Sequence, residues 1–220
     1  MRKIGRKNSP IPIGIKNKKR FMPAKIDFDA LKAGQSVLFG SEYTLSFIRQ
    51  SDLNDIVETL HDEEVIAFLH FAPSPDSLYE AYFQPIIADT ASQIERGEWP
   101  ETPTFTLRDN KGKYMGMVGL QPVIFLEGNY EIGYQFARHA WGKGLATTTC
   151  RFATAFAFEK LRAHKLAADC YAGNARSARV LEKTGFQREG VQKGYYRIHN
   201  GFDDRLIYGM TSEQFARLKA

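Results

Sequence analysis

The stretch RHAWGKGLATTT, Arg138 to Thr149, sets two glycines one residue from each other among basic side chains, directly ahead of a run with helical spacing. A strand turning into a helix there leaves the first helical N–H groups unpaired at the positive end of the helix dipole, which is a site for an anion. Gly142 and Gly144 permit close backbone approach and positive φ, and Arg138, His139 and Lys143 add positive charge, so phosphate is the natural guest. A tight strand-to-helix turn needing glycine for geometry alone is the plain alternative. A P-loop is set aside, because the Gly-x-x-x-x-Gly-Lys-Ser/Thr spacing is absent. A dinucleotide fingerprint is matched only in part. Gly142-x-Gly144-x-x-Thr147 puts Thr where a small residue lets helix and strand approach, although Asp169, near the end of the next strand, offers a ribose ligand. The strand ahead of the loop also carries Glu131 and Gln135 instead of a continuous apolar run.

A downstream segment narrows the choice. YEIGYQFARHAWGKGLATTT followed by NARSARVLEKTGFQREG resembles the GNAT acetyltransferase superfamily, specifically its RimJ/RimL-like branch of N-acetyltransferases. The paired motifs span Tyr130 to Gly190, with weaker similarity from Tyr43 to Met210. The resemblance implies an α/β fold of GNAT type: a mixed, mostly antiparallel central sheet with flanking helices and a splayed strand at the acetyl-CoA site. It implies acetyl-CoA as cosubstrate, its pyrophosphate cradled by Arg138, His139, Trp141, Gly142, Lys143, Gly144, Leu145, Ala146 and Thr147. Pantetheine would then run along the backbone of Tyr134, Gln135 and Phe136 and past Asn174 and Ser177. His139 departs from the Gln or Arg usual at its place, a change that holding by backbone amides tolerates.

Acetyl transfer to an amine needs a neutral amine, a polarised carbonyl and a stabilised departing thiolate. By the resemblance, a backbone N–H of the GYQF strand meets the thioester oxygen, Glu131 is the general base acting through water, and Ser177 lies near the CoA sulfur. Each has a plainer reading: Glu131 as an exposed strand residue, Ser177 as a polar residue of a first helical turn, and Asn174 as an N-cap. The tyrosine that many family members place seven residues after the motif Asn, to protonate the thiolate, is Leu181 here. The carboxylate that RimL-like enzymes carry on the strand after Gly-Phe falls near Tyr195 or Tyr196.

The elements that must position these residues can be read along the chain. SEYTLSFIRQ alternates as a strand, and Ser51 is expected to cap a helix carrying Leu53, Ile56, Val57 and Leu60 on one face. A second helix begins with Ser74 as cap and Pro75 at its first position, and Pro85 is expected to kink or split it before Gly97. Two strands flank a turn at Asp109 to Gly112, and NYEIGYQFAR is a third. A long helix with Leu145, Phe152, Phe156 and Leu161 follows, then the strand KLAADCY and a helix from Asn174 to Gly185. A hairpin at Asn200-Gly201 and a short helix close the chain.

Charge divides the chain unevenly. Of the 30 Lys and Arg, nine lie in residues 1–25, which hold no acid, leaving 21 against the 25 Asp and Glu. Residues 1–38 are therefore expected to form a basic flexible extension, able to touch RNA or ribosome weakly, and residues 39–220 the acetyltransferase domain. Cys150 and Cys170 lack Cys-x-x-Cys spacing and the five histidines lack metal-ligand spacing, which argues against a disulfide framework or a zinc site. The absence of a long apolar run points to a cytoplasmic protein. The resemblance implies an amine acceptor, a protein N-terminus or a small molecule, and allows a homodimer. A non-catalytic CoA-binding or ribosome-tethered module is the competing class. Phe68, Phe71, Tyr79, Tyr82, Tyr195 and Tyr196 flank the expected acceptor cleft, most of them expected in the core.

Overall fold

A computed structural model describes residues 26–219. Its centre is an eight-stranded sheet of order β1-β2-β3-β4-β5-β6-β8-β7, antiparallel throughout except where β5 meets β6. The strands are β1 Val37–Phe39, β2 Tyr43–Phe47, β3 Thr104–Asp109, β4 Tyr114–Pro122, β5 Asn129–Phe136, β6 Lys165–Tyr171, β7 Gln187–Ile198 and β8 Gly201–Thr211. The helices are α1 Phe28–Lys32, α2 Leu53–Thr59, α3 Glu63–Ile66, α4 Asp76–Glu95, α5 Leu145–Glu159, α6 Ala175–Thr184 and α7 Ser212–Lys219. The expected fold class is the observed one.

Two apolar clusters hold this arrangement. In the larger, Phe152 and Phe156 on α5 meet Phe105 on β3 edge to face, at centroid distances of 4.9 and 5.0 Å. In the smaller, Leu53, Ile56 and Val57 of α2 pack with Tyr79, Phe83 and Ile87 of α4 against Tyr114 and Met117. The helical spacing of Leu53, Ile56, Val57 and Leu60 is thus a buried face, as expected.

Several expectations are corrected. Ser51 does not cap α2. Asp52 organises that corner, accepting the Arg49 N–H at 2.9 Å and the Arg108 guanidinium at 2.6 Å, which ties the helix start to β3. Ser74 stands one residue too early, its hydroxyl donating to the Phe71 carbonyl, and α4 begins after an extended Pro75. Pro85 neither splits nor ends α4. It sits on the exposed side, where water can satisfy the carbonyl it leaves unbonded, while Tyr79, Phe83, Ile87 and Thr90 bury the other side. Leu161 falls beyond the end of α5 yet packs against the larger cluster. The final hairpin turns at His199-Asn200, Ile198 pairing with Gly201. The boundary expected at residue 38 cuts through packed structure: Leu31 of α1 is fully buried, Ile26 and Val37 nearly so, and β1 pairs with β2. The basic run of residues 1–25 lies outside the described residues. Among the described residues no helix is long and apolar enough to cross a membrane.

Candidate active site

The sheet forks at Glu131. β5 pairs with β4 along seven residues, from Gly116↔Phe136 to Pro122↔Tyr130, but with β6 along only three, ending at Glu131↔Ala167. Beyond that point β5 and β6 diverge, and the β6-facing edge of Gly133, Tyr134 and Gln135 opens into a cleft of about 1380 Å³. The splayed strand is where the motif placed it. Phe136 is buried, and its carbonyl accepts the Trp141 indole N–H at 2.8 Å.

The glycine loop begins directly after β5. Arg138–Ala140 make one tight turn, Gly142 and Gly144 take φ of +78° and +75°, and α5 starts at Leu145. A Cβ at either glycine would meet no atom within 4 Å. The open space and left-handed backbone together fit a ligand lying against the loop, with the N–H groups of Leu145, Ala146 and Thr147 at the helix start. The Leu145 side chain is buried in the larger cluster, so only its backbone is available. The basic side chains divide the work differently from expectation. His139 Nε2 donates to the Tyr114 carbonyl at 2.9 Å and so anchors the loop to β4. Arg138 pairs with Glu64 at 3.0 Å and lies over the Trp141 ring, which Arg176 also approaches at 4.8 Å. Lys143 is exposed beside the two glycines.

Across the fork, α6 contributes hydroxyl chemistry. Asn174 caps the helix, its Oδ1 accepting the Ser177 N–H at 3.1 Å. The Tyr134 hydroxyl reaches from β5 to within 3.0 Å of Ser177 Oγ and 3.2 Å of the Ser177 carbonyl oxygen. Burial raises the Tyr134 phenol well above its ordinary value, so it remains a donor. Cys170 lies beside this pair, its thiol pushed up to about 11 by burial.

On the other wall, burial raises the Glu131 carboxyl above its ordinary value, and Asp169 adds to the shift, while Arg205 and His70 oppose it. The Arg205 guanidinium bonds Asp169 and stands 3.6 Å from Glu131. The Tyr196 hydroxyl also bonds Asp169, and the Tyr196 ring stacks on Tyr171 at 3.7 Å. Tyr79 and Tyr196 are buried, but Phe68, Phe71, Tyr82 and Tyr195 are exposed, so most of the six flanking aromatics face the cleft and not the core.

A family model for the GNAT acetyltransferase domain matches residues 43–187. The chain belongs to the GNAT acetyltransferases. It is 30% identical over 180 residues to the Bacillus subtilis protein named "Putative ribosomal N-acetyltransferase YdaF", covering 78% of this chain and 92% of that one. That likeness is consistent with the RimJ/RimL-like branch. Among solved structures, spermidine N-acetyltransferase from Vibrio cholerae, in complex with CoA and spermine, superposes with a TM-score of 0.68 at 19% identity, over 79% of this chain and 98% of that one. A GNAT-family acetyltransferase from Bacillus anthracis superposes with a TM-score of 0.65 at 20% identity, over 79% of this chain and 96% of that one.

As a GNAT enzyme the chain is an N-acetyltransferase with acetyl-CoA as cosubstrate. The fork gathers Glu131, Tyr134, Gln135, Asn174 and Ser177 into one cleft, with the glycine loop following directly on β5. One neighbour of the site went unread in the sequence, and another was read for a different role. Arg205 carries no local signal, since only the β6–β8 register, Tyr171↔Arg205, sets it beside Asp169. Asp169, read as a ribose ligand, instead supplies a carboxylate at Tyr196, where the branch pattern placed one on β7.

Proposed function

We propose that this enzyme transfers the acetyl group of acetyl-CoA to a primary amine by direct attack of the amine nitrogen on the thioester carbonyl. Acetyl-CoA would be held by the glycine loop and the open edge of β5, with Tyr134 to Phe136 and Asn174 along its pantetheine. Such a cosubstrate supplies an activated acetyl group, and the chain supplies position and proton handling. Glu131 is the general base. The observation that carries this role is its position at the crotch of the fork, a partly exposed carboxyl whose proton affinity is raised by burial and by Asp169, facing the same cleft as the Ser177 hydroxyl. A raised carboxyl accepts a proton from the amine, through water, more readily than an ordinary one. A backbone N–H on the open edge of β5 is suited to the thioester oxygen, where one such donor is worth about 3 kcal/mol.

The acceptor enters between the exposed aromatics Phe68, Phe71, Tyr82 and Tyr195. The ribosomal-type relative speaks for a protein N-terminus and the spermine-bound neighbour for a small polyamine. The nine bases of residues 1–25 favour a weak contact with RNA that would bring the enzyme to a ribosomal acceptor. The test is free-thiol release from acetyl-CoA against a panel of N-terminal peptides, polyamines and aminoglycosides. Turnover on a primary amine, greatly reduced in Glu131→Gln, is expected; undiminished turnover in that variant would remove Glu131 from the role.

A further inference from the structure

Leu181, at the place where GNAT enzymes often carry the tyrosine that serves the departing thiolate, is buried and apolar. The cleft nevertheless holds a phenol, from a different element. We propose that Tyr134 is a positioning residue for thiolate departure, its hydroxyl holding the Ser177 hydroxyl so that the Ser177 hydrogen is presented to the CoA sulfur as the C–S bond breaks. This rests on the acetyl-transfer reading above.

The geometry gives Tyr134 one proton and two acceptors, Ser177 Oγ at 3.0 Å and the Ser177 carbonyl oxygen at 3.2 Å. Ser177 is itself fixed through its N–H by Asn174. Before reaction, the Tyr134 O–H donates to the Ser177 carbonyl and the Ser177 O–H donates to Tyr134. As charge builds on sulfur, the Ser177 hydrogen turns to it and the Tyr134 hydrogen turns to Ser177 Oγ, so no buried hydrogen loses its acceptor. Two donors in series polarise one another, and a hydrogen bond to an anion is roughly twice as strong as a neutral one. Burial keeps the phenol protonated, which suits a donor that never surrenders its proton.

The step balances without a new group. The amine lone pair forms the C–N bond, the C–S electron pair leaves with sulfur, and the proton that finally neutralises the thiolate is the one lost by the amine. Tyr134 and Ser177 end as they began. Cys170 is a poor substitute, being a weak donor with a thiol held neutral by burial.

The test combines kinetics with the ionisation of bound CoA, followed by thiolate absorbance, in wild type, Tyr134→Phe, Ser177→Ala, Ser177→Thr and the double variant Tyr134→Phe/Ser177→Ala. Bound CoA should ionise at lower pH than free CoA in the wild type, and both single variants should move it back toward the free value. Tyr134→Phe should lower kcat about tenfold with the acetyl-CoA KM little changed. Ser177→Ala should lower kcat about 100-fold. The double variant should fall no further than Ser177→Ala, because Tyr134 acts through that hydroxyl. Ser177→Thr should recover most of the rate. Wild-type kcat and CoA ionisation in Tyr134→Phe, or a double variant whose loss equals the product of the two, would overturn the proposal. If no amine is turned over by the wild type, the acetyl-transfer reading fails, and the CoA titration still decides the hydroxyl pair.

Discussion

Glu131 lies between opposed influences, and removing them one at a time should move the pH dependence of kcat/KM in opposite directions. Burial and then Asp169 raise its carboxyl, while Arg205 and His70 lower it. A base works ionised, so kcat/KM rises with pH through the Glu131 ionisation. Arg205→Met removes a cation 3.6 Å from a carboxylate whose side chain is 48% exposed. With an effective dielectric of about 60, chosen for that exposure, the pair is worth about 1.5 kcal/mol, so the acid limb should move to higher pH by about one unit. Asp169→Asn removes a like charge, favours the ionised form of Glu131, and should move the limb to lower pH. That variant also frees Arg205 from Asp169, which pushes in the same direction. Glu131→Gln should abolish the limb and cost about 10²- to 10⁴-fold in rate. The assay is initial rates of thiol release across the acid to mildly alkaline range, with melting temperatures at each pH to separate unfolding from titration. A limb that shifts the same way in both charge variants, or survives in Glu131→Gln, refutes the reasoning.

Two further outcomes test the loop and the boundary of the fold. Gly144→Asn and Gly144→Asp place nearly isosteric side chains, both tolerant of left-handed backbone, at a φ of +75° with no protein atom within 4 Å. The Asp variant should bind acetyl-CoA at least about fivefold more weakly than the Asn variant in equilibrium titration; equal affinities would move the pyrophosphate off this loop. Removing residues 2–25 should leave turnover on a small amine and the melting temperature near wild type, whereas Leu31→Ala should cost about 2.7–5 kcal/mol in urea unfolding, since Leu31 is fully buried. Unchanged stability in Leu31→Ala would take α1 out of the core.

What could be read from residues alone was what local physics determines. Gly142, Gly144, Asn174 and Gly185 each mark a helix end by needing an unusual φ or a capping oxygen, and each stands where those needs predicted. α1 escaped notice because Leu31, its buried residue, and Ile26, just ahead of the helix, come soon after Lys18, Lys19, Arg20 and Lys25, which read as solvated chain. Pro85 misled because a rule about backbone donors ignores which side of the helix faces water. The pairs that shape the chemistry left no local trace: Tyr134 and Ser177 are 43 residues apart, and Asp169 and Arg205 are 36. Only the fork between β5 and β6, and the β6–β8 register, bring them together.

The measurement that bears most directly on the central claim is product analysis by mass spectrometry. Wild-type enzyme is incubated with acetyl-CoA and the amine panel, with Glu131→Gln alongside. Acetylation of a primary amine in step with CoA release, largely lost in the variant, is predicted. Tight acetyl-CoA binding with no acetylated amine anywhere in the panel would contradict it, leaving a protein that holds the acetyl carrier without using it.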